Sequence, residues 1–114
     1  MPDVVHVSYR NMNPLPQAER EVARQGRLLG EHFPEVQHIH VSLEAMGGDA
    51  GGPVKAFVAV QMPGHRVVAS RHGIQDRLED SALQALVDAF SAARQGLQET
   101  RRMMRGHLPP DCCN

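Results

Sequence analysis

Residues 81–105 read SALQALVDAFSAARQGLQETRRMMR, and apolar residues recur in this stretch every three or four positions. That spacing puts the apolar residues on one face of a long helix and leaves the charged residues on the other. The apolar stripe consists of Ala82, Leu86, Phe90, Ala93 and Leu97. Ser81 and Gln84 have the spacing of a capping box, so we expect the helix to begin at Ser81. A helix of this length spans about 35 Å and requires a broad apolar surface from the rest of the chain.

The upstream chain predicts one further helix and four strands. Alternation of apolar and polar residues predicts strands at 4–9, 36–45, 54–62 and 66–70. Helical spacing predicts a helix over about 14–33, with Asn13 as its N-cap and Pro34 just after its end. Residues 46–53, MGGDAGGP, predict a hairpin loop, and residues 71–80 predict a polar connection to the last helix.

The element order β-α-β-β-β-α predicts an α+β fold, in which two helices pack on one face of a four-stranded mixed sheet. The strand-helix-strand opening makes the first two strands parallel, and the later short loops make an antiparallel meander. Each strand has one apolar face, so the opposite face of the sheet is open to water. Gly26 either reflects drift near a helix end or permits close approach of the last helix at Gly96.

Length and composition limit the classes of protein that fit. The chain has 114 residues, 41% of them hydrophobic, a formal net charge of -1, no Trp, one Tyr and three Phe. We expect one soluble domain over residues 1–106 and a disordered tail over 107–114, with Cys112 and Cys113 as free thiols. Few aromatic residues disfavour base stacking, and the net charge means that nucleic-acid binding needs a local cluster of cations. The opening MPDVVHVSYR lacks a secretion signal, and no apolar run is long enough for a membrane helix, which predicts a cytoplasmic protein.

Catalysis has little support in the sequence. No Ser, Cys or Lys in a predicted element adjoins a plausible base, and no carboxylates are paired beside an apolar pocket. We therefore predict no enzymatic activity, no cofactor and no small-molecule substrate. Three histidines, His6, His38 and His40, fall on the open face of two neighbouring strands. They could bind a transition metal, but only Glu44 is spaced to complete such a site, so we predict no metal and interpret them as exposed polar positions.

Arginines suggest a surface for phosphates. Four of them crowd the end of the last helix, where the helix dipole accounts for only one or two cations. The predicted RNA-binding residues are Arg10, Arg24, Arg27, Arg71, Arg94, Arg101, Arg102 and Arg105.

The chain resembles a family of ribosome hibernation factors in its opening VHVSYRNMNP, its run from Tyr9 to Val36, and its helix segment at 85–97, ALVDAFSAARQGL. These are the hibernation-promoting factor and ribosome-associated inhibitor proteins, also labelled sigma-factor modulation or ribosomal subunit interface proteins. The resemblance implies a non-catalytic protein that binds RNA of the small ribosomal subunit and inhibits translation or stabilises idle ribosomes under stress. It also implies a fold close to the double-stranded RNA-binding domain, with an added first strand.

Single positions agree with the family pattern or depart from it. Arg10 and Arg94 match basic positions of the family, whereas Leu28 and Gln95 stand where the family often has basic residues. The family's Asp-x-Tyr at the start of the last helix is replaced by Ser-Ala-Leu at 81–83. An alternative function is therefore a protein-interaction or dimerisation module that keeps the fold without the RNA surface.

Overall fold

The computed structural model describes residues 4–47 and 53–107 of the chain, with side chains described from Val5 to Met103. The elements in chain order are β1 (Val4–Arg10), α1 (Pro16–His32), β2 (His38–Ala45), β3 (Val54–Met62), β4 (His65–Gly73) and α2 (Leu78–His107). This order confirms the predicted α+β architecture.

The four strands form one sheet in the order β1-β2-β3-β4. β1 pairs with β2 in parallel, whereas the β2–β3 and β3–β4 pairs are antiparallel. The register aligns Val7, Val41, Val58 and Ala69 in one row across all four strands. The predicted parallel crossover and antiparallel meander are therefore confirmed.

Both helices cover the same face of the sheet, and the core lies between them and the strands. The predicted apolar stripe of α2 is almost completely buried: Ala82, Leu86, Phe90, Ala93 and Leu97 are each at most 1% exposed. α1 contributes Ala18, Val22 and Leu29 to the same core. Burial of such side chains stabilises the fold by about 1.5–3 kcal/mol for each large one.

α1 begins later than the sequence predicted, because proline restricts the residue before it. Leu15, which precedes Pro16, is extended at φ -116° and ψ 114° and makes no side-chain cap. A residue before proline is pushed out of the helical region, so the helix cannot start upstream of Pro16. The prediction of Asn13 as the N-cap was wrong. Phe33 follows the helix, and its backbone N–H donates to the Leu29 carbonyl.

α2 begins three residues before Ser81, so the predicted capping box was also wrong. The Ser81 hydroxyl accepts from the Gln75 backbone N–H at 2.9 Å and donates to the Gln75 carbonyl at 3.1 Å. Gln84 Oε1 accepts from the Ile74 backbone N–H at 3.0 Å. The two polar side chains therefore hold the connection before α2, instead of capping the amide groups of α2 itself.

Gly26 and Gly96 each adjoin the sheet and not one another, which rules out the close approach at Gly96 that was one of the two alternatives for Gly26. A Cβ added at Gly26 would lie 3.4 Å from Val5 Cγ2, and one at Gly96 would lie 2.7 Å from Val67 Cγ1. β4 continues past the predicted end to Gly73, where an added Cβ would overlap the Ser81 carbonyl oxygen. The strand can run beneath α2 because Gly73 has no side chain.

Other predictions fall partly outside the described residues. His107 belongs to α2, whereas positions 108–114 of the predicted tail, including Cys112 and Cys113, lie outside the described range. Residues 48–52 of the predicted hairpin loop also lie outside it. Within the described ranges, neither helix combines the length and the apolar character that crossing a bilayer requires.

Candidate nucleic-acid interface

A cleft of about 410 Å³ lies between the end of α1 and the second half of α2. Its lining residues are His32, Phe33, Arg94, Gln98, Arg101 and Arg102. The four residues from α2 recur at helical spacing, so they share one side of that helix. The α1 residues come from its last turn and the position just after it. The cleft therefore exists because the two helices lie side by side on the sheet.

Arg101 ties α2 to the segment that follows α1. Its Nε donates to Glu35 Oε2 at 3.1 Å, and its Nη2 donates to Oε1 and Oε2 of the same carboxylate, each at 2.8 Å. Nη2 also donates to the His32 carbonyl at 3.2 Å, and the guanidinium carbon lies 4.5 Å from the centroid of the Phe33 ring. Charge-assisted bonds and the contact with the ring fix this side chain in place. Arg101 therefore shapes a wall of the cleft.

Arg94 and Arg102 differ from Arg101 because neither forms an ion pair among the described side chains. Both are exposed, and the exposed amide of Gln98 lies one turn from each. A guanidinium without a carboxylate partner keeps its planar fork of donors available for a phosphate. Arg105 lies in the last turns of α2, but its side chain is outside the described part.

Arg24 and Arg27 do not line this cleft. Arg24 pairs with Glu21 on α1 at 2.7 Å, and this hydrogen bond holds the pKa of the Glu21 carboxyl below its ordinary value. Arg27 lies on the other side of α1, where it lines a cavity of about 370 Å³ together with Val5 and Val7. α1 therefore separates Arg27 from the cleft.

Arg10 and Arg71 lie elsewhere on the sheet. Arg10 is opposite Glu44 in the register, on the face that the helices leave open. Arg71 belongs to β4 instead of the predicted connection, and its Nη1 donates to the Ser70 carbonyl at 2.8 Å. Of the seven predicted arginines whose side chains the structure describes, three lie around one cleft.

Sequence reasoning missed four residues that build the cleft, and Phe33, which was predicted only as part of α1, is one of them. Gln98 could have been found from helical spacing, because it lies one turn after Arg94. His32 and Glu35 carried no such signal, because their positions depend on how α1 packs beside α2.

No cluster of at least three His, Cys, Asp or Glu side chains suited to a metal ion occurs in the described parts of the chain. The rings of His6 and His40 lie side by side on the open face, with centroids 5.7 Å apart. A pair alone does not complete the coordination that a structural zinc ion requires.

No protein-family model matches this chain, and no curated protein matches its sequence. Solved structures do match it. A ribosomal subunit interface protein from Coxiella burnetii has a TM-score of 0.67 and 10% sequence identity, over 86% of this chain and 97% of that chain. The N-terminal domain of Thermus thermophilus Protein Y has a TM-score of 0.57 and 16% identity, over 83% of this chain and 98% of that chain. Together these matches show that the chain has the fold of these two proteins, as its sequence resemblance predicted.

Proposed function

We propose that the protein binds RNA of the small ribosomal subunit through the cleft between α1 and α2, and thereby inhibits translation or stabilises idle ribosomes under stress. The observation that carries the proposal is the presence of Arg94 and Arg102 in this cleft without carboxylate partners among the described side chains. The fold supports it, because it is shared with a protein named for the ribosomal subunit interface.

The arrangement suits recognition of folded RNA by shape. Arg94 and Arg102 lie eight residues apart on α2, which corresponds to about 12 Å along the helix axis. Each guanidinium can donate two hydrogen bonds to a phosphate, and the Gln98 amide can bond to phosphate or ribose oxygens. Contacts of this kind position a protein on RNA without reading its base sequence. Arg101 keeps the walls of the cleft together while its neighbours bind.

Binding of this kind needs no chemical step, so the proposal includes no catalysis, cofactor, metal ion or small-molecule substrate. A ribosomal partner would place the protein in the cytoplasm and away from membranes. The protein would act by occupying the subunit.

Sedimentation with purified subunits tests the proposal. We expect the wild-type protein to pellet with small subunits at low salt and to dissociate as salt rises, because phosphate contacts release counterions. The double variant Arg94→Ala/Arg102→Ala should bind more weakly, and its log-log salt slope should be lower by about two. Arg77→Ala is the matched control, since Arg77 is an exposed cation just before α2.

Two results would contradict this account. One is wild-type protein that stays in the supernatant with small subunits at low salt. The other is a double variant that binds as tightly, and with the same salt slope, as the Arg77→Ala control.

A second candidate function is a protein-interaction module, and Leu28 favours it. This side chain is 36% exposed and lines a small cavity together with His32 and Arg94. Because Leu28 stands where the resembled family often has a basic residue, it offers a partner an apolar contact in place of a charge. If Leu28→Asn abolished association and the arginine variants did not, the partner at this cleft would be a protein.

A further inference from the structure

The open face of the sheet carries a row of charged residues across all four strands. The register aligns Arg10 of β1, Glu44 of β2, Lys55 of β3 and His72 of β4. Although Glu44 lies between two cations in this row, none of the three forms an ion pair among the described side chains. The charges of Arg10 and Lys55 are therefore available to a ligand.

Phe57 lies in the next row of the open face, between two serines. Ser42 and Ser70 are its partners on β2 and β4, and both are small. Phe33 and Phe90 are buried at 3% and 1% exposure, whereas Phe57 is half-buried on the face that no helix covers. These small neighbours leave the Phe57 side chain partly exposed.

A depression of about 220 Å³ joins these two rows. It is lined by Arg10, Ser42, Glu44, Lys55 and Phe57. The depression thus combines an aromatic ring, two cations, a hydroxyl and a carboxylate. An unpaired nucleotide with an amino-bearing base complements the ring, the carboxylate and the cations, because the base stacks on the ring, its amino group donates to the carboxylate, and its phosphates bind the cations.

Histidines extend this platform across β1 and β2. The His6 and His40 rings are exposed and adjacent, with centroids 5.7 Å apart and planes inclined at 44°. Imidazole rings stack on bases as phenyl rings do. The low Trp, Tyr and Phe content of the chain therefore understates the ring surface that the fold assembles on one face.

The balance of charge on the open face indicates an anionic ligand. Arg66 adds a third cation at the other end of β4, opposite Gln61. At the outward positions of the described strands, the arginine and lysine residues are Arg10, Lys55 and Arg66, and the sole acidic residue is Glu44. An anion that also carries flat rings complements both the charge and the aromatic surface.

We propose that the open face of the sheet is a second nucleic-acid site, which binds single-stranded RNA or DNA with an unpaired base stacked on Phe57 and the backbone held by Arg10 and Lys55. A duplex does not fit this arrangement, because a paired base cannot turn its face to the ring. This site lies across the sheet from the cleft. The proposal for the open face does not depend on the function proposed for the cleft.

Fluorescence anisotropy with a labelled single-stranded octanucleotide tests this site. Every protein in this assay also carries Arg94→Ala/Arg102→Ala, which removes the two arginines proposed to bind RNA at the cleft. We expect Phe57→Leu, which keeps the apolar packing and loses the flat ring, to weaken binding about tenfold. Lys55→Gln should weaken binding and lower the log-log salt slope by about 0.7.

Two control variants test whether any apolar or cationic change weakens binding. Val68→Ala changes another exposed apolar side chain of the same face, and Arg20→Gln removes an exposed cation from α1 on the other side of the molecule. Both should bind like the parent protein, and thermal melting should show that every variant is folded.

The proposal is overturned if Phe57→Leu and Lys55→Gln bind the octanucleotide as tightly as the controls. It is also overturned if a duplex of the same length, a single nucleoside monophosphate or an octaglutamate peptide binds as tightly as the single strand. Each of these outcomes leaves the cleft proposal standing, because Arg94 and Arg102 are replaced in every protein of the assay.

Discussion

At the scale of single residues, Gly73 determines how closely β4 and α2 approach. A Cβ at this position would overlap the Ser81 carbonyl oxygen and lie 2.9 Å from the Ala85 backbone nitrogen. These are backbone atoms of a helix and cannot rotate away as a side chain can. At Gly26, by contrast, a Cβ would meet only the side-chain atoms of Val5 and Ile39, at 3.4 Å or more. Glycine is therefore required at Gly73 but not at Gly26.

We predict that Gly73→Ala lowers the free energy of unfolding by about 3 kcal/mol, because the helix must move away from the sheet. Gly26→Ala should raise it by about 0.5–1 kcal/mol, since alanine favours the helix and fits the space. Urea unfolding of the two variants beside the wild type measures both changes. Equal stability of the two variants would show that β4 and α2 are not in close contact.

Ser81 is a buried polar residue that links α2 to the connection before it. Its side chain is 0% exposed, and its hydroxyl bonds to both backbone groups of Gln75. Ser81→Ala should lower the free energy of unfolding by about 1–3 kcal/mol, because it removes both bonds inside the protein. Thermal unfolding measures the loss, and Ser91→Ala, at an exposed position of α2, is the control. A melting temperature for Ser81→Ala equal to that of Ser91→Ala would contradict this role.

Side-chain roles were harder to predict from sequence than burial was. The stripe containing Leu86, Phe90 and Leu97 was predicted from periodicity alone, since helical spacing specifies one face. The roles of Ser81 and Arg101 were not, because apolar spacing does not indicate which backbone group or carboxylate a polar side chain will meet. Arg101 and Glu35 are 66 residues apart in the chain. Only the packing of α1 beside α2 brings them together.

At the scale of elements, the Arg101–Glu35 pair joins the end of α1 to α2. The side chains are 32% and 37% exposed, so water screens part of their attraction. Three shared hydrogen bonds and the contact of Arg101 with the Phe33 ring nevertheless fix the geometry. The pair therefore sets the shape of the cleft.

We predict that Arg101→Ala lowers the free energy of unfolding by about 1–2 kcal/mol and speeds amide exchange in the last turn of α1. Arg102→Ala should leave both quantities unchanged, because Arg102 has no ion pair among the described side chains. Denaturant titration and hydrogen exchange measure the two effects. If Arg101→Ala and Arg102→Ala gave the same stability and exchange, Arg101 would not be joining the helices.

Element boundaries show where sequence patterns stop being informative. Periodicity predicted both helices and all four strands, because one face of each is apolar. Two predicted ends were wrong because backbone chemistry decides them. Pro16 makes α1 begin later than predicted, and Gly73 lets β4 continue beneath α2. The predicted start of α2 was wrong because the side chains of Ser81 and Gln84 form hydrogen bonds with residues 74 and 75 instead of with amide groups of the helix.

At the scale of the whole molecule, two separate surfaces carry cations that form no ion pair among the described side chains. The cleft exposes Arg94 and Arg102 on the helical side, and the open face exposes Arg10 and Lys55 on the other side. The sequence predicted a surface of arginines for phosphates but did not predict that the cations lie on two separate surfaces. Sequence alone does not indicate which arginines form ion pairs with carboxylates. The two proposals together predict a protein that holds two segments of RNA at once.

The central claim is that the cleft lies against RNA of the small ribosomal subunit, and site-specific photo-crosslinking tests it most directly. A photo-reactive amino acid replaces Gln98, which is exposed within the cleft, and in a control protein it replaces Arg77 just before the start of α2. We predict that the probe at Gln98 links to RNA of the small subunit and that the probe at Arg77 links to it much less. Crosslinks from Gln98 to proteins alone, or equal RNA crosslinking from both positions, would contradict the account.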